Sequence, residues 1–278
     1  MVVRFDDGEE QQVPLAPGAR AVTGDRVRVA NGRLEVEPAH GVLRRRDARG
    51  RERTIATNLD VSGLVVAPEP REPPGYLDRG IVIARAAGIE PLVIVNKLDL
   101  AGGPALAERL EAIYGGSVPV HPVSAESGAG VAALGERLAG GLLGALVGPS
   151  GVGKSSLLNA LVPELALRVS GLNRGSGKGR HTTTTATLHP LASGGFLVDT
   201  AGFKDFIAVD VDPIEAARHF PGFEEALVAG CRFRDCLHRS EPGCGVLEAV
   251  ARGAIAERRH RAYLALQDEL AEDGRRRR

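Results

Sequence analysis

Two stretches decide the fold: "VGPSGVGKSSLLNAL" at 147–161 and, earlier in the chain, "VIVNKLDL" at 93–100. The first contains Gly148-Pro149-Ser150-Gly151-Val152-Gly153-Lys154-Ser155, which matches Gly-x-x-x-x-Gly-Lys-Ser between an apolar strand-like run and a helix-like one. Glycines let such a loop wrap phosphate with its amide N–H groups pointing inward, and the helix start adds partial positive charge. Lys154 is placed for the β- and γ-phosphates and Ser155 for Mg²⁺.

The second stretch contains Asn96-Lys97-Leu98-Asp99 at the end of a strand-like run, where ligands bind in open α/β sheets. A carboxylate at Asp99 accepts both the N1–H and the N2 amine hydrogen of guanine, whereas adenine would leave it unpaired. Ser124-Ala125, in "VSAES" (123–127), ends the next strand-like run, and its backbone N–H groups are expected to face the base O6. A base-reading segment ordinarily follows the phosphate loop, but here it comes about fifty residues before it. A sheet is indifferent to where its chain begins if its strands keep their places and the old termini are close. The order therefore reads as a circular permutation.

Downstream, "DTAGF" (199–203) follows the strand-like "GFLV", so that Asp199 would bind Mg²⁺ through water and the Gly202 N–H would meet the γ-phosphate. The glycine-rich, basic "GLNRGSGKGRHTTTT" (171–185) occupies the place of a mobile switch, and its threonines, Thr182 and Thr183 among them, can complete the Mg²⁺ shell. Phe203 stands where many GTPases carry a water-orienting glutamine, and the only glutamines are Gln11, Gln12 and Gln267. His181 is the catalytic candidate that remains within the switch.

Around this centre, residues 56–208 alternate apolar strands with amphipathic helices, which predicts a parallel sheet covered on both faces. Residues 1–55 are short strand-like segments with turns at Gly24-Asp25 and Asn31-Gly32, which predict a small β-barrel. Residues 209–278 read as helices around a cysteine-bearing loop. Lysine occurs only at 97, 154, 178 and 204, so two of the four lysines fall within the two motifs, where a compact ammonium is required. Net charge is zero, but 41–56 carry six arginines against Asp47 and Glu52, and 275–278 read "RRRR". Both runs are compatible with phosphate contact and equally with solvated surface. The acidic start and the absence of a long apolar run predict a cytoplasmic protein with no membrane association.

All three cysteines lie in "CRFRDCLHRSEPGC", giving Cys231, Cys236, His238 and Cys244 the spacing Cys-x₄-Cys-x-His-x₅-Cys. A disulfide would leave one thiol over, whereas three thiolates and an imidazole complete a tetrahedral Zn²⁺ shell with no place for water. The site reads as structural. Because the chain runs from the Asp199–Phe203 switch into this region, nucleotide-driven ordering of the switch is expected to pull on it.

Taken in order, a β-barrel, "NKLD", "SAES", "GPSGVGKSS", "GRHTTT", "DTAG" and the cysteine cluster resemble the ribosome small subunit-dependent GTPase A family over nearly the whole chain. The resemblance implies an OB-type barrel, a circularly permuted GTPase domain and a helical zinc domain. It also implies GTP/GDP, Mg²⁺ and Zn²⁺ as ligands, late maturation of the small (30S) ribosomal subunit, rRNA contact and subunit-stimulated hydrolysis by a monomer. By motif, Asn96–Asp99 and Gly148–Ser156 bind GTP, and Cys231, Cys236, His238 and Cys244 bind zinc. The third switch motif has Ala201 where the family commonly has proline, and the barrel is short. Two other readings are a metal-trafficking GTPase, which would exchange its metal rapidly, and a GTP-gated RNA-binding scaffold, which would not turn over.

Overall fold

The computed structural model describes residues 1–5, 7–46, 51–165, 187–199 and 211–276. The switch candidates His181, Thr182, Thr183 and Gly202 and the chain's last two arginines lie outside the described residues.

The N-terminal segment forms three antiparallel pairs: β1 (Val2–Arg4) with β2 (Glu10–Gln12), β3 (Val27–Ala30) with β4 (Arg33–Val36), and β5 (Leu43–Arg46) with β6 (Glu52–Ala56). Asn31 and Gly32 both have positive φ, 51° and 71°, as a tight two-residue hairpin turn with this sequence requires. Single bridges tie the segment between β2 and β3 to two of the pairs, Leu15 to Leu34 of β4 and Thr23 to Ala56 of β6. Among the described residues, the barrel expected here consists of these separate ladders rather than one continuous one.

The chain then alternates: β7 (Val61–Val66), α1 (Tyr76–Ala86), β8 (Glu90–Val95), α2 (Gly103–Tyr114), β9 (Val120–Pro122), α3 (Val131–Arg137), β10 (Leu143–Val147), α4 (Lys154–Leu161), β11 (Thr187–Pro190) and β12 (Phe196–Asp199). These strands form one sheet in the order β11-β12-β10-β7-β8-β9. The strand before the phosphate loop, β10, is central and pairs in parallel with both β7 and β12. The strand before Asn96, β8, lies two places from β10, between β7 and β9. Five strands run parallel as expected, and β11 departs by running antiparallel to β12. The tight turn at Leu191–Gly195, closed by Leu191 N–H to the Gly195 carbonyl (2.7 Å), leaves no room for the crossover that a parallel connection needs.

Alternation along each strand divides the core into two layers. Leu64, Val66, Val93, Val95, Ala145, Val147 and Val198 face α1, α2 and the C-terminal helices, while Val65, Leu92, Ile94, Leu146 and Leu197 face α3 and α4. The last segment contributes α5 (Ala216–His219), α6 (Glu224–Ala229), α7 (Gly245–Ala251) and α8 (Glu257–Arg276). No helix among the described residues is long and apolar enough to cross a membrane.

The C-terminal helices dock onto α1, with α5 and α8 both packed against it. The half-buried Arg259 of α8 pairs with buried Asp78 of α1 (2.7 Å), and Asp78 also accepts from the Tyr114 hydroxyl (3.0 Å). The Arg259 guanidinium lies 4.7 Å from the Phe220 ring centroid and 5.1 Å from that of Tyr114. Arg79 adds a bidentate pair with Glu269 (both 2.7 Å), and Arg85 reaches Glu224 (2.9 Å) and the Ser117 carbonyl (2.7 Å). Of these, the buried pair matters most, because removing one partner strands the other charge. Asp78→Ala is expected to lower unfolding stability by about 3–5 kcal/mol in urea titrations, and Asp78→Ala with Arg259→Met by less than the sum of the single effects.

Candidate functional site

The phosphate loop joins β10 to α4 at the C-terminal edge of the sheet. Its shape rests on glycine: Gly151 and Gly153 have φ of 88° and 94°, and a Cβ at Gly153 would stand 2.3 Å from Asn96 Nδ2. Lys154 arches back over the loop, its Nζ donating to the carbonyls of Gly148 (2.6 Å) and Pro149 (2.9 Å). Ser155 is exposed at the start of α4.

Asn96, at the end of β8, is 1% exposed and spends its side chain on the protein. Its Nδ2 donates to the Val152 carbonyl (2.9 Å) and its Oδ1 accepts from the Ala125 N–H (3.1 Å). One carboxamide thus ties the phosphate loop to the base-side loop. Lys97, at φ 66°, extends over the phosphate loop and donates to the carbonyls of Gly151 (2.6 Å) and Glu69 (2.8 Å). Asp99 is exposed, and its Oδ1 accepts from the Ser124 hydroxyl at 2.5 Å.

The amides of Ser124 and Ala125, expected at the base O6, donate instead to the Ala129 carbonyl (2.8 Å) and to Asn96. The tight turn that closes with Gly128 N–H on the Ser124 carbonyl (2.9 Å) turns them inward, and the loop's positioning contact is the Ser124 hydroxyl.

Asp199 ends β12 in register with Thr187, on the strand beside β10. Ser155 and Asp199 are the described oxygen donors that would hold Mg²⁺, a hard cation that takes oxygen ligands and neutralises phosphate charge when bound. None of the glutamines stands beside the phosphate loop. Gln11 and Gln12 pair with β1, and Gln267 is buried, donating to the Pro213 carbonyl (2.7 Å) and the Tyr263 hydroxyl (2.5 Å).

The cysteine cluster closes as its spacing predicts. One ligand atom from each of Cys231, Cys236, His238 and Cys244 lies within 4.8 Å of all the others. Cys231 Sγ to Cys244 Sγ is 3.9 Å and His238 Nδ1 to Cys244 Sγ is 3.2 Å, against an edge of about 3.8 Å for thiolates at 2.3 Å around tetrahedral zinc. Burial pushes the Cys236 thiol up to about 12 and Cys244 upward too, so the thiolate form that ligates metal needs a cation there. Burial lowers His238, which keeps its imidazole in the neutral, ligating form. Around the cluster, Glu241 accepts the N–H groups of Leu237, Arg239 and Ser240, and His260 meets the His238 carbonyl at 2.7 Å. These residues fit zinc.

Comparison with known proteins gives a consistent result. The sequence model of the RsgA GTPase family matches residues 36–208. A Gemmatimonas aurantiaca protein named "Small ribosomal subunit biogenesis GTPase RsgA" is 39% identical over 262 residues, covering 90% of this chain and 85% of its own. A protein of the same name from Pseudomonas putida is 40% identical over 261 residues, covering 91% and 76%. The crystal structure of YjeQ from Thermotoga maritima superposes with a TM-score of 0.77 at 33% identity, covering 96% of this chain and 92% of that one. YloQ, described as a circularly permuted GTPase, gives a TM-score of 0.67 at 26% identity, covering 92% and 83%.

Ser124→Ala removes the hydrogen bond that aims Asp99 and is expected to weaken GDP binding about tenfold in calorimetry while ADP remains excluded. The purified chain is expected to carry about one Zn²⁺ by metal analysis, and Cys236→Ser to lose it.

Proposed function

We propose a function on one premise: the chain belongs to the RsgA GTPase family. The protein hydrolyses GTP to GDP and phosphate, and does so as a biogenesis factor of the small ribosomal subunit, the role its relatives' names carry. The observation that bears most weight is the Asn96 bridge, which assembles a phosphate-gripping and a guanine-reading half into one site.

In this reading Asp99 selects guanine, Lys97 and Ser124 hold its surroundings, and the amides of Gly148–Ser156 with Lys154 take the phosphates. Ser155, Asp199 and Thr182 or Thr183 hold Mg²⁺, Gly202 senses the γ-phosphate, and His181 orients water in place of a glutamine. Residues 1–55 and 209–278 flank the GTPase domain at 56–208 and contact rRNA, with one structural Zn²⁺ in the C-terminal unit. The protein acts in the cytoplasm as a monomer. The closed four-ligand cluster, with no place for an incoming ligand, argues against metal trafficking.

Multiple-turnover assays provide the test. GTP hydrolysis should be slow alone and at least about tenfold faster with small subunits, since the water-orienting geometry is completed by the partner. Equal rates with and without subunits would exclude a subunit-dependent enzyme. His181→Ala should lose the stimulated rate and keep GTP affinity. Unchanged stimulated turnover would remove His181 from the mechanism.

A further inference from the structure

The first two residues of the zinc cluster bracket Arg232-Phe233-Arg234-Asp235, and all four intervening residues are exposed. Exposed aromatic surface is scarce in this protein, which has no tryptophan, three tyrosines and seven phenylalanines. Among the described residues the tyrosines, Phe220 and Phe223 are buried and Phe5 and Phe196 are half-buried. Phe233 alone is exposed, at 42%. The Arg232 guanidinium lies 5.5 Å from its ring centroid and covers one face, a cation–π contact.

Among the described residues, no carboxylate pairs with the arginines on either side of the ring. Neighbouring arginines find carboxylates, Arg239 with Asp268 (2.6 Å) and Arg218 with Glu215 (3.1 Å). Among the described residues no salt bridge engages Arg232 or Arg234, and Asp235 is the one acid in the segment itself. The loop is also held in place. Arg232 N–H donates to the Gly243 carbonyl (2.9 Å), Cys231 bridges to Cys244 in the antiparallel sense, and Cys236 is buried at the other end. Gly243, at φ 70°, leaves room for the Arg232 stem, which a Cβ there would meet at 3.1 Å.

We propose that Arg232–Phe233–Arg234 is a platform for an unpaired nucleotide of structured RNA. The base stacks on the open face of Phe233 while the two guanidinium groups take the flanking phosphates. A rigid aromatic ring between two unpaired cations complements the repeating unit of a single-stranded nucleic acid, which offers a π-face and a negative charge at every step. Metal ligands at both ends remove the ordering cost that a free loop would pay. The inference rests on the proposed engagement of the small subunit and names the part of the protein that reads its RNA.

The test uses the zinc-loaded full chain. Phe233→Trp places the chain's sole tryptophan on the platform, so its emission reports the site directly. It should be quenched by small subunits and by a single-stranded oligouridylate. Phe233→Leu keeps the apolar bulk without the π-face and should weaken subunit binding about five- to a hundredfold with an unchanged salt slope. Arg232→Ala and Arg234→Ala should each lower the salt slope by about one. Zinc content and GDP affinity should stay at wild-type values in every variant.

Wild-type affinity in Phe233→Leu, or unquenched emission at saturating subunits, would overturn the platform while subunit binding by the parent chain still stood. A blue shift without quenching would identify a protein contact and overturn it equally. If the parent chain failed to bind subunits, the ribosomal reading would fall. Quenching by the oligouridylate would then still support the platform, and its absence would remove both.

Discussion

Asn96 holds together the phosphate loop, which it meets 56 positions further on, and the base-side loop, which it meets 29 positions further on, and the nucleotide site depends on that link. The side chain is buried, so each of its polar ends needs a partner, and it finds one on the phosphate loop and one on the base-side loop. Loss of either bond would leave a desolvated amide or carbonyl unpaired, at a cost of about 1–3 kcal/mol. The link therefore fixes the spacing between phosphates and base as well as joining the loops. Lys97 reinforces it from above by clasping the Gly151 and Glu69 carbonyls.

That arrangement explains why the permuted order is tolerated. The strand that launches the phosphate loop sits at the centre of the sheet, and the strand that launches the base-reading loop is two places away. Each motif needs only its own strand end and the loop opposite, and neither depends on which strand was made first. The change falls on the connections. Beyond β12 come the C-terminal helices, of which α5 and α8 dock on α1. The strands that launch both loops pack on the layer shared with α1 and α8 through Leu64, Val93 and Val147, while Val152 of the phosphate loop and Val123 of the base-side loop pack on the α3 and α4 side.

How much could be read in advance follows from the range of each interaction. The phosphate loop, the base-reading tetrapeptide and the cysteine cluster are local patterns whose chemistry is specified by residue type and spacing, so they were legible together with the strands and helices that carry them. The antiparallel β11 was not, because apolar content does not encode direction and only the shortness of the turn at Leu191–Gly195 does. The turn that engages the amides of Ser124 and Ala125 was not legible either, because it forms through backbone bonds to which any residue can contribute. The pairing of Asp78 with Arg259 spans 181 positions, and no pattern in either neighbourhood announces it. The same limit hid the isolation of Phe233, since a loop bracketed by ligands does not reveal which of its side chains faces solvent.

The joint at α1 carries one further consequence. Arg259 is clasped on its edge by Asp78 and by the Pro221 carbonyl (2.9 Å) and lies over the rings of Tyr114 and Phe220. A planar guanidinium can donate along its edge while stacking on its faces, and an ammonium cannot, so lysine would lose half of these contacts while keeping the charge. The carboxylate it meets is on the first turn of α1, directly after the segment whose Glu69 carbonyl receives Lys97. Only the stretch from Glu69 to Asp78 separates the clasp over the phosphate loop from the buried pair that anchors the C-terminal unit. That stretch is short but largely exposed from Glu69 to Gly75, and burial resumes at Tyr76. The expected pull from the Asp199–Phe203 switch would then act on a unit that is also held at α1, through α5 and α8.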